Sequence, residues 1–226
     1  MVQIGAQHQV YNLSVSNDTN SNGHTQWFYF SVQGAVAGVD YTFHIKNFQK
    51  EDSLFKRGMR PCLYSPGKGW TRAGRDIKYS RTLNPGCTRH WYTLSFTLRF
   101  ESAEQHFLAY AVPYSRTDLI SDLDALMDDP KRARLCTRSV LCHSLSGLPV
   151  EQLRVTDPDE GDMTKRSIVV SARVHPGETV ASWMMRGFMY WVTSDDPRAM
   201  HLRATHNIIC IPMMNPGAEC CRYYSD

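Results

Sequence analysis

A histidine and a glutamate three residues apart are the side chains of this sequence with the clearest potential for chemistry. The apolar run 168–174 stops at His175, and Glu178 follows across Pro176 and Gly177. Zinc binds His nitrogen and Glu oxygen, and one catalytic set is two His, one Glu and a water molecule. The pair is therefore a candidate for half of a zinc site. The ordinary structural alternative is a hydrogen bond between a strand-end His and a helix-start Glu.

The residues around this pair predict a strand, a turn and a helix. Residues 168–174 are β-branched and nearly continuously apolar, which predicts a strand buried on both faces in a parallel or mixed sheet. His175 would lie at the C-terminal edge of that strand, where open α/β sheets bind ligands. Pro176 disfavours helical backbone at His175, so we expect a turn at 176–177 and a helix from Glu178. The predicted helical stripe is Val180, Trp183, Met184, Phe188 and Trp191, with Gly187 allowing close approach on the same face.

The composition is that of an ordinary globular chain. A length of 226 residues indicates one or two domains, and 42% hydrophobic with 21% charged residues is typical of a globular protein. A net charge of +3 is too small to indicate a nucleic-acid or membrane partner. The sequence has no apolar run long enough to span a bilayer and no signal-peptide pattern at its N-terminus. We therefore expect a cytosolic protein with no nucleic-acid or membrane partner.

The seven cysteines are odd in number and irregular in spacing, which favours reduced thiols over a disulfide framework. A second metal site built from Cys136, Cys142 and His143 is the alternative. The absence of a CxxC pair counts against it, because structural zinc sites commonly use that spacing.

Residues 1–112 predict an antiparallel β-sandwich. A polar loop ends near residue 23, and short β-branched or aromatic segments with turn residues between them follow. Tyr41, Phe43 and Ile45 alternate with polar residues, as expected of a half-buried strand. The predicted strands are 24–32, 40–47, 60–64, 77–80, 90–99 and 106–112, and one face of 90–99 carries Tyr92, Leu94, Phe96 and Leu98.

Residues 113–226 alternate helices and strands, the pattern of an α/β domain. Thr117 and Asp118 are candidates to cap a first helix, whose apolar residues Leu119, Ile120, Leu123, Leu126 and Met127 repeat at helical spacing. The remaining predicted elements are a helix at 137–145, a strand at 151–156, the strand and helix around His175, a short helix after Asp196-Pro197 to about Ala204, and a buried strand at 208–213.

The motif Ser171-Ala-Arg-Val-His-Pro-Gly-Glu178 resembles the zinc motif of the cytosolic carboxypeptidases, a branch of the carboxypeptidase A-like metallopeptidases. Further matching segments occur in the family's order between about residues 10 and 216. These segments are 24–30, 45–48, 57–61, 77–79, 113–114, 140–142 and 212–216.

The resemblance implies a β-sandwich at 1–112, followed at 113–226 by the incomplete first part of an α/β zinc carboxypeptidase domain. It implies zinc as cofactor, His175 and Glu178 as ligands, and removal of C-terminal or side-chain-linked glutamates from tubulin or other polyglutamylated proteins. The family's second zinc His, substrate-binding Asn and Arg, pocket Tyr and general-base Glu have no counterpart here. No catalytic residue is therefore assigned, and the substrate-binding residues are unknown.

The resemblance stops near Pro216. Residues 217–226, including Arg222 and Tyr223, match nothing in the family and are interpreted as an unrelated tail. We therefore expect a truncated form that is inactive by itself. The competing hypothesis is a non-catalytic protein that uses its β-sandwich to bind a partner such as tubulin.

Overall fold

The computed structural model describes residues 7–17, 24–82, 90–159 and 165–216. The chain divides into two compact units, Met1–Val112 and Pro113–Asp226. Within the described ranges, no helix is long and apolar enough to cross a membrane. The polar loop predicted before residue 23 lies partly outside the described residues, as do residues 160–164 and the tail from 217.

The described residues of the first unit form two four-stranded sheets. The strands are β1 Gln9–Leu13, β2 Tyr29–Val32, β3 Asp40–Phe48, β4 Cys62–Ser65, β5 Gly69–Arg72, β6 Arg75–Thr82, β7 Trp91–Arg99 and β8 His106–Ala109. The strand orders are β1-β3-β7-β6 and β2-β8-β4-β5, and the pairings are antiparallel, except that β1 runs parallel to β3. A short 3-10 helix lies at Leu54–Arg57.

The predicted alternation in β3 and β7 is confirmed. Phe43 pairs with Phe96, and Ile45 pairs with Leu94, so that apolar side chains from both strands enter one core. The rings of Phe43 and Phe96 stack with centroids 5.5 Å apart. Strands β1 and β5 were not predicted, because β1 is exposed along most of its length and β5 begins at a glycine and contains no fully buried residue.

In the second unit, the strands of the described residues are β9 Cys136–His143, β10 Pro149–Val155, β11 Arg166–Ser171 and β12 His206–Ile211, and the helices are α1 Arg116–Asp128, α2 Pro130–Ala133, α3 Thr179–Val192 and α4 Pro197–Thr205. These strands form a four-stranded sheet in the order β11-β12-β10-β9. Strands β11 and β12 are parallel, whereas β10 is antiparallel to both β12 and β9.

The helix predicted at 137–145 is wrong, because these residues form the edge strand β9. A short segment of mixed apolar and polar residues does not distinguish the helical period of 3.6 from the strand period of 2. Pairing with β10 makes this segment a strand. The first helix, α1, is confirmed, but Ser115 caps it instead of Thr117 or Asp118. The Ser115 hydroxyl accepts from the Asp118 N–H, and the Asp118 side chain accepts from the Ser115 N–H.

Helix α3 is confirmed, but its buried face differs from the predicted stripe. The residues that enter the core are Thr179, Ser182, Met185, Met189 and Val192. Val180, Trp183 and Met184 are exposed, and among the described residues no atom outside the adjacent helix backbone and chain neighbours lies within 4 Å of the position that a Cβ on Gly187 would occupy. The helix has apolar residues on both sides, so periodicity alone cannot identify the face that packs on the sheet.

Strand β11 is likewise more exposed than the sequence predicts. It is the last strand of the described sheet, and the side chain of Val169 is 61% exposed. The continuous burial expected of 168–174 is instead found in β12, where Ile208, Cys210 and Ile211 are buried.

Candidate metal centre

His175 and Glu178 lie on the connection between β11 and α3. Strand β11 ends at Ser171 and α3 begins at Thr179. The connection starts beside the end of β12, since the Ala172 N–H donates to the Ile211 carbonyl at 3.0 Å. The Glu178 N–H donates to the His175 carbonyl at 3.1 Å, which places both residues on one turn. The predicted strand, turn and helix therefore occur in that order, although His175 lies four residues beyond the last strand residue.

Both side chains on this turn are exposed to solvent. Within the described residues, neither the His175 ring nor the Glu178 carboxylate has a hydrogen-bond or ion-pair partner. Glu178 occupies the N-cap position of α3 but makes no side-chain capping bond. The His–Glu hydrogen bond considered as the structural alternative is not observed, and the donor atoms remain available for a ligand.

The buried side chain of Arg173 holds the turn through hydrogen bonds, a role that the sequence analysis did not predict. Its side chain is 2% exposed, and its backbone has a φ of +52°. Its Nε donates to the Pro176 carbonyl at 3.0 Å, and its Nη1 donates to the Tyr114 carbonyl at 3.1 Å and to Ser182 Oγ at 3.0 Å. One feature of the sequence could have indicated this role: Arg173 is a charged residue inside a run that is otherwise apolar enough to predict a buried strand.

Asp122 of α1 and Arg186 of α3 form an ion pair. Both Asp122 oxygens accept from Arg186 Nε at 2.8 Å, and Asp122 Oδ2 accepts from the buried Tyr114 hydroxyl at 2.7 Å. Burial, followed by the bond to Asp122, raises the pKa of Tyr114 far above its usual range. The Trp183 ring packs edge-on against the Tyr114 ring, with the two ring centroids 5.0 Å apart. These contacts fix the start of α3 relative to α1.

The described residues bring together no group of three His, Cys, Asp or Glu side chains that could hold a metal ion. His206 opens β12 and pairs with Arg166, about 17 Å along the strands from the Ser171–Ile211 pair, after which the connection to His175 begins. His201 belongs to α4, which precedes β12. His143 ends β9, three strands from β11 and therefore about 14 Å away.

The second metal site considered in the sequence is not assembled either. Cys136 is buried, and desolvation raises the pKa of its thiol to about 11. Cys142 and His143 are neighbours on β9, and neighbouring strand residues point to opposite faces. Buried thiols with raised pKa values are poor metal ligands, because the thiolate is the form that binds.

The donor atoms on the turn fit zinc in type but not in number. A nitrogen from His175 and oxygens from Glu178 belong to the ligand set that zinc prefers, and both side chains are unpaired among the described residues. A catalytic zinc takes three protein ligands, and the described residues bring no third His, Cys, Asp or Glu side chain to this pair.

Two family models match the chain. Residues 1–110 match the cytosolic carboxypeptidase N-terminal domain, and residues 121–222 match zinc carboxypeptidase. The second match continues six residues past Pro216, where the sequence resemblance was expected to end. The boundary between the two matches lies close to the boundary between the two structural units.

Curated relatives and solved structures agree with these matches. The chain is 40% identical to cytosolic carboxypeptidase 2 of Xenopus tropicalis over 91% of its length, and 41% identical to that of Danio rerio over 95%. It spans 22% and 31% of those two proteins. Metallo-carboxypeptidases from Burkholderia cenocepacia and Pseudomonas aeruginosa share its fold, with TM-scores of 0.72 and 0.68 at 20% identity. Each alignment covers 96% of this chain and 53% of the solved chain.

Proposed function

Because the chain belongs to the cytosolic carboxypeptidases, a family of zinc carboxypeptidases, we propose that His175 and Glu178 supply two ligands to the zinc site of a metallocarboxypeptidase. The observation that carries this proposal is the single turn between β11 and α3, on which both side chains are exposed and unpaired among the described residues. The site lies beyond the C-terminal end of β11, the usual ligand edge of an open α/β sheet.

The chemistry that zinc supplies in such a site is polarisation of the scissile carbonyl and activation of water. The part played by the described residues is to place one nitrogen and one carboxylate on a turn that is fixed to the sheet at one end and to α3 at the other. The resemblance assigns no described residue as the third ligand, as the base or as the group that binds the substrate carboxylate.

The proposed substrates are proteins with glutamate at the C-terminus or in side-chain-linked chains, tubulin among them, and the proposed location is the cytosol. The proposed substrates rest on the resemblance of the sequence motifs, and the proposed location is supported by the cytosolic carboxypeptidases 2 and 3 among the relatives.

Zinc titration of the full chain by calorimetry tests the proposed ligands. We expect binding weaker than micromolar, because two protein ligands are present where a catalytic site uses three. His175→Ala and Glu178→Gln should each abolish it, whereas His201→Ala and Cys142→Ser, which alter other exposed metal-binding side chains, should leave it unchanged. Equal loss in His201→Ala would place the site elsewhere, and a site tighter than micromolar would reveal a third ligand.

A second candidate function, binding of an acidic partner by the β-sandwich, is favoured by the charge of the first unit. Residues 1–112 contain 12 Lys and Arg but 7 Asp and Glu. Several of the acids are already paired, including Glu101 with Lys68 at 2.6 Å and Asp52 with Arg57 at 2.8 Å. Lys46 and Lys78 are exposed and have no acidic partner among the described residues.

Lys46 and Lys78 belong to the outer face of the sheet β1-β3-β7-β6. Lys78 pairs with Ser95, whose neighbours Leu94 and Phe96 point into the core. Fluorescence anisotropy with a glutamate-chain peptide tests this function in the full chain. A double Lys46→Ala, Lys78→Ala variant should weaken binding several-fold, whereas Lys68→Ala, which removes a paired lysine, should not. Equal effects would indicate charge attraction without a defined surface.

A further inference from the structure

We propose that Arg173 is the positioning residue of the candidate zinc site and that it holds His175 and Glu178 in a shared geometry. The inference rests on the proposed function of the turn. Arg173 touches neither a metal nor a substrate, and it acts through the backbone that carries the two ligands.

The first argument is the position of the arginine bonds. The guanidinium donates to the Pro176 carbonyl, which lies between the two ligands in sequence. The same guanidinium donates to the Tyr114 carbonyl, before α1, and to the Ser182 hydroxyl, in the first turn of α3. A planar fork with several fixed N–H directions can connect three such acceptors at once, which a lysine ammonium on a flexible stem does less well.

The second argument is the backbone at residue 173. Among the described residues with a side chain beyond hydrogen, Arg173 and Asp76 have positive φ values, of +52° and +53°. This conformation is unfavourable for a residue with a Cβ and is normally occupied by glycine. A glycine at 173 would satisfy the backbone but would remove the guanidinium, so the side-chain bonds are what the arginine adds.

The third argument is burial. The Arg173 side chain is almost entirely removed from water, whereas the ligands that it supports are exposed. An exposed turn samples several conformations unless buried groups hold it. Within the turn itself, the described backbone bond is Glu178 N–H to the His175 carbonyl, and the Arg173 bond to Pro176 adds the attachment to the buried part of the unit.

Amide hydrogen exchange and zinc affinity, measured on the full chain by NMR, separate this role from general stabilisation. The variants are Arg173→Lys, which keeps the charge, and Ser182→Ala, which removes one acceptor without altering the backbone at 173. Asp76→Gly is a control in the other unit, at the other described non-glycine residue with a positive φ. The internal reference is the Thr193 amide, which donates to the Met189 carbonyl at the far end of α3.

We expect Arg173→Lys to speed exchange of the Glu178 amide about 10-fold and to weaken zinc binding about 10-fold, within the range found when groups that orient metal ligands are removed. Ser182→Ala should produce a smaller change in the same direction. Exchange at Thr193 should remain unchanged in both variants, and Asp76→Gly should alter neither readout.

Three results distinguish the outcomes. Equal acceleration at Glu178 and Thr193 would show that Arg173 only stabilises the unit, and it would overturn the inference. Unchanged exchange and affinity in Arg173→Lys, with zinc binding lost in His175→Ala, would overturn it as well. Zinc binding that survives His175→Ala would refute the proposed function instead, whatever Arg173→Lys does to the exchange of the turn.

Discussion

The Tyr114 hydroxyl donates to Asp122 Oδ2 at 2.7 Å, and the same carboxylate binds Arg186 of α3. Tyr114 is fully buried, so removing its acceptor would leave a buried hydroxyl without a partner. We expect Asp122→Ala to reduce the free energy of unfolding of the second unit by about 2 kcal/mol. Urea denaturation followed by NMR signals of that unit measures the change.

Asp124→Ala is the matched control for that prediction. Asp124 lies on the same helix and pairs with Arg138 at 2.6 Å, but its side chain is 57% exposed. Exposed ion pairs contribute about 1 kcal/mol or less. A loss in Asp124→Ala equal to that in Asp122→Ala would contradict the importance assigned to the buried hydroxyl.

The buried thiols of the second unit predict a loss of stability at alkaline pH. Desolvation raises the pKa of Cys210 to about 12, whereas an exposed thiol in the unfolded chain titrates near 9. Between these values the unfolded state releases a proton that the folded state keeps, so stability is complete below pH 9 and falls as the pH rises. The slope is on the order of 1 kcal/mol per pH unit for one thiol.

Denaturation of the second unit at several pH values between 8 and 11 tests this slope. Cys210→Ala should be less stable at neutral pH because of the lost packing, but its decline above pH 9 should be shallower than that of the unsubstituted chain. Cys142→Ala, which removes an exposed thiol, should reproduce the parent slope. A Cys210→Ala profile parallel to the parent would show that other groups cause the decline.

The sandwich was predictable because its strands carry a clear period of two. Tyr41, Phe43 and Ile45 are buried and alternate with more exposed neighbours, so the sequence itself identifies the inner face. Such a pattern survives whichever strands become neighbours. The helix predicted at 137–145 failed because that segment has no comparable pattern, and its pairing with β10 depends on residues distant in sequence.

The turn of the candidate site was predictable for a local reason, whereas its support was not. Pro176 disfavours helical backbone at His175, and this local effect does not depend on tertiary contacts. The partners of Arg173, by contrast, include Tyr114 and Ser182, which come together only when the segment before α1 meets α3. The buried face of α3 could not be predicted either, because the helix carries apolar residues on two sides and tertiary packing determines which side is buried.

The exposed side of α3 predicts self-association. Val180, Trp183 and Met184 follow helical spacing, and Met184 is 76% exposed. An apolar patch of this kind favours association in water. We expect sedimentation velocity to show oligomers of the full chain, and Met184→Glu to reduce them. Leu54→Glu, at an exposed leucine of the first unit, is the control, and residues 1–112 alone should stay soluble. A monodisperse monomer would refute the prediction.

We expect the 226-residue chain to show no catalytic activity by itself. Hydrolysis of a terminal peptide bond needs three zinc ligands, a base and a cation for the substrate carboxylate, whereas the proposal assigns only two ligands, His175 and Glu178, to the described residues. Loss of a general base costs about 10²–10⁴ in rate, and loss of electrostatic stabilisation costs about a further 10²–10³. Glutamate release from polyglutamylated tubulin peptides should therefore equal the blank, with added free glutamate confirming that the assay detects product. Chelator-sensitive turnover that disappears in Glu178→Ala would show that residues assigned to the sandwich, or lying outside the described ranges, complete the site.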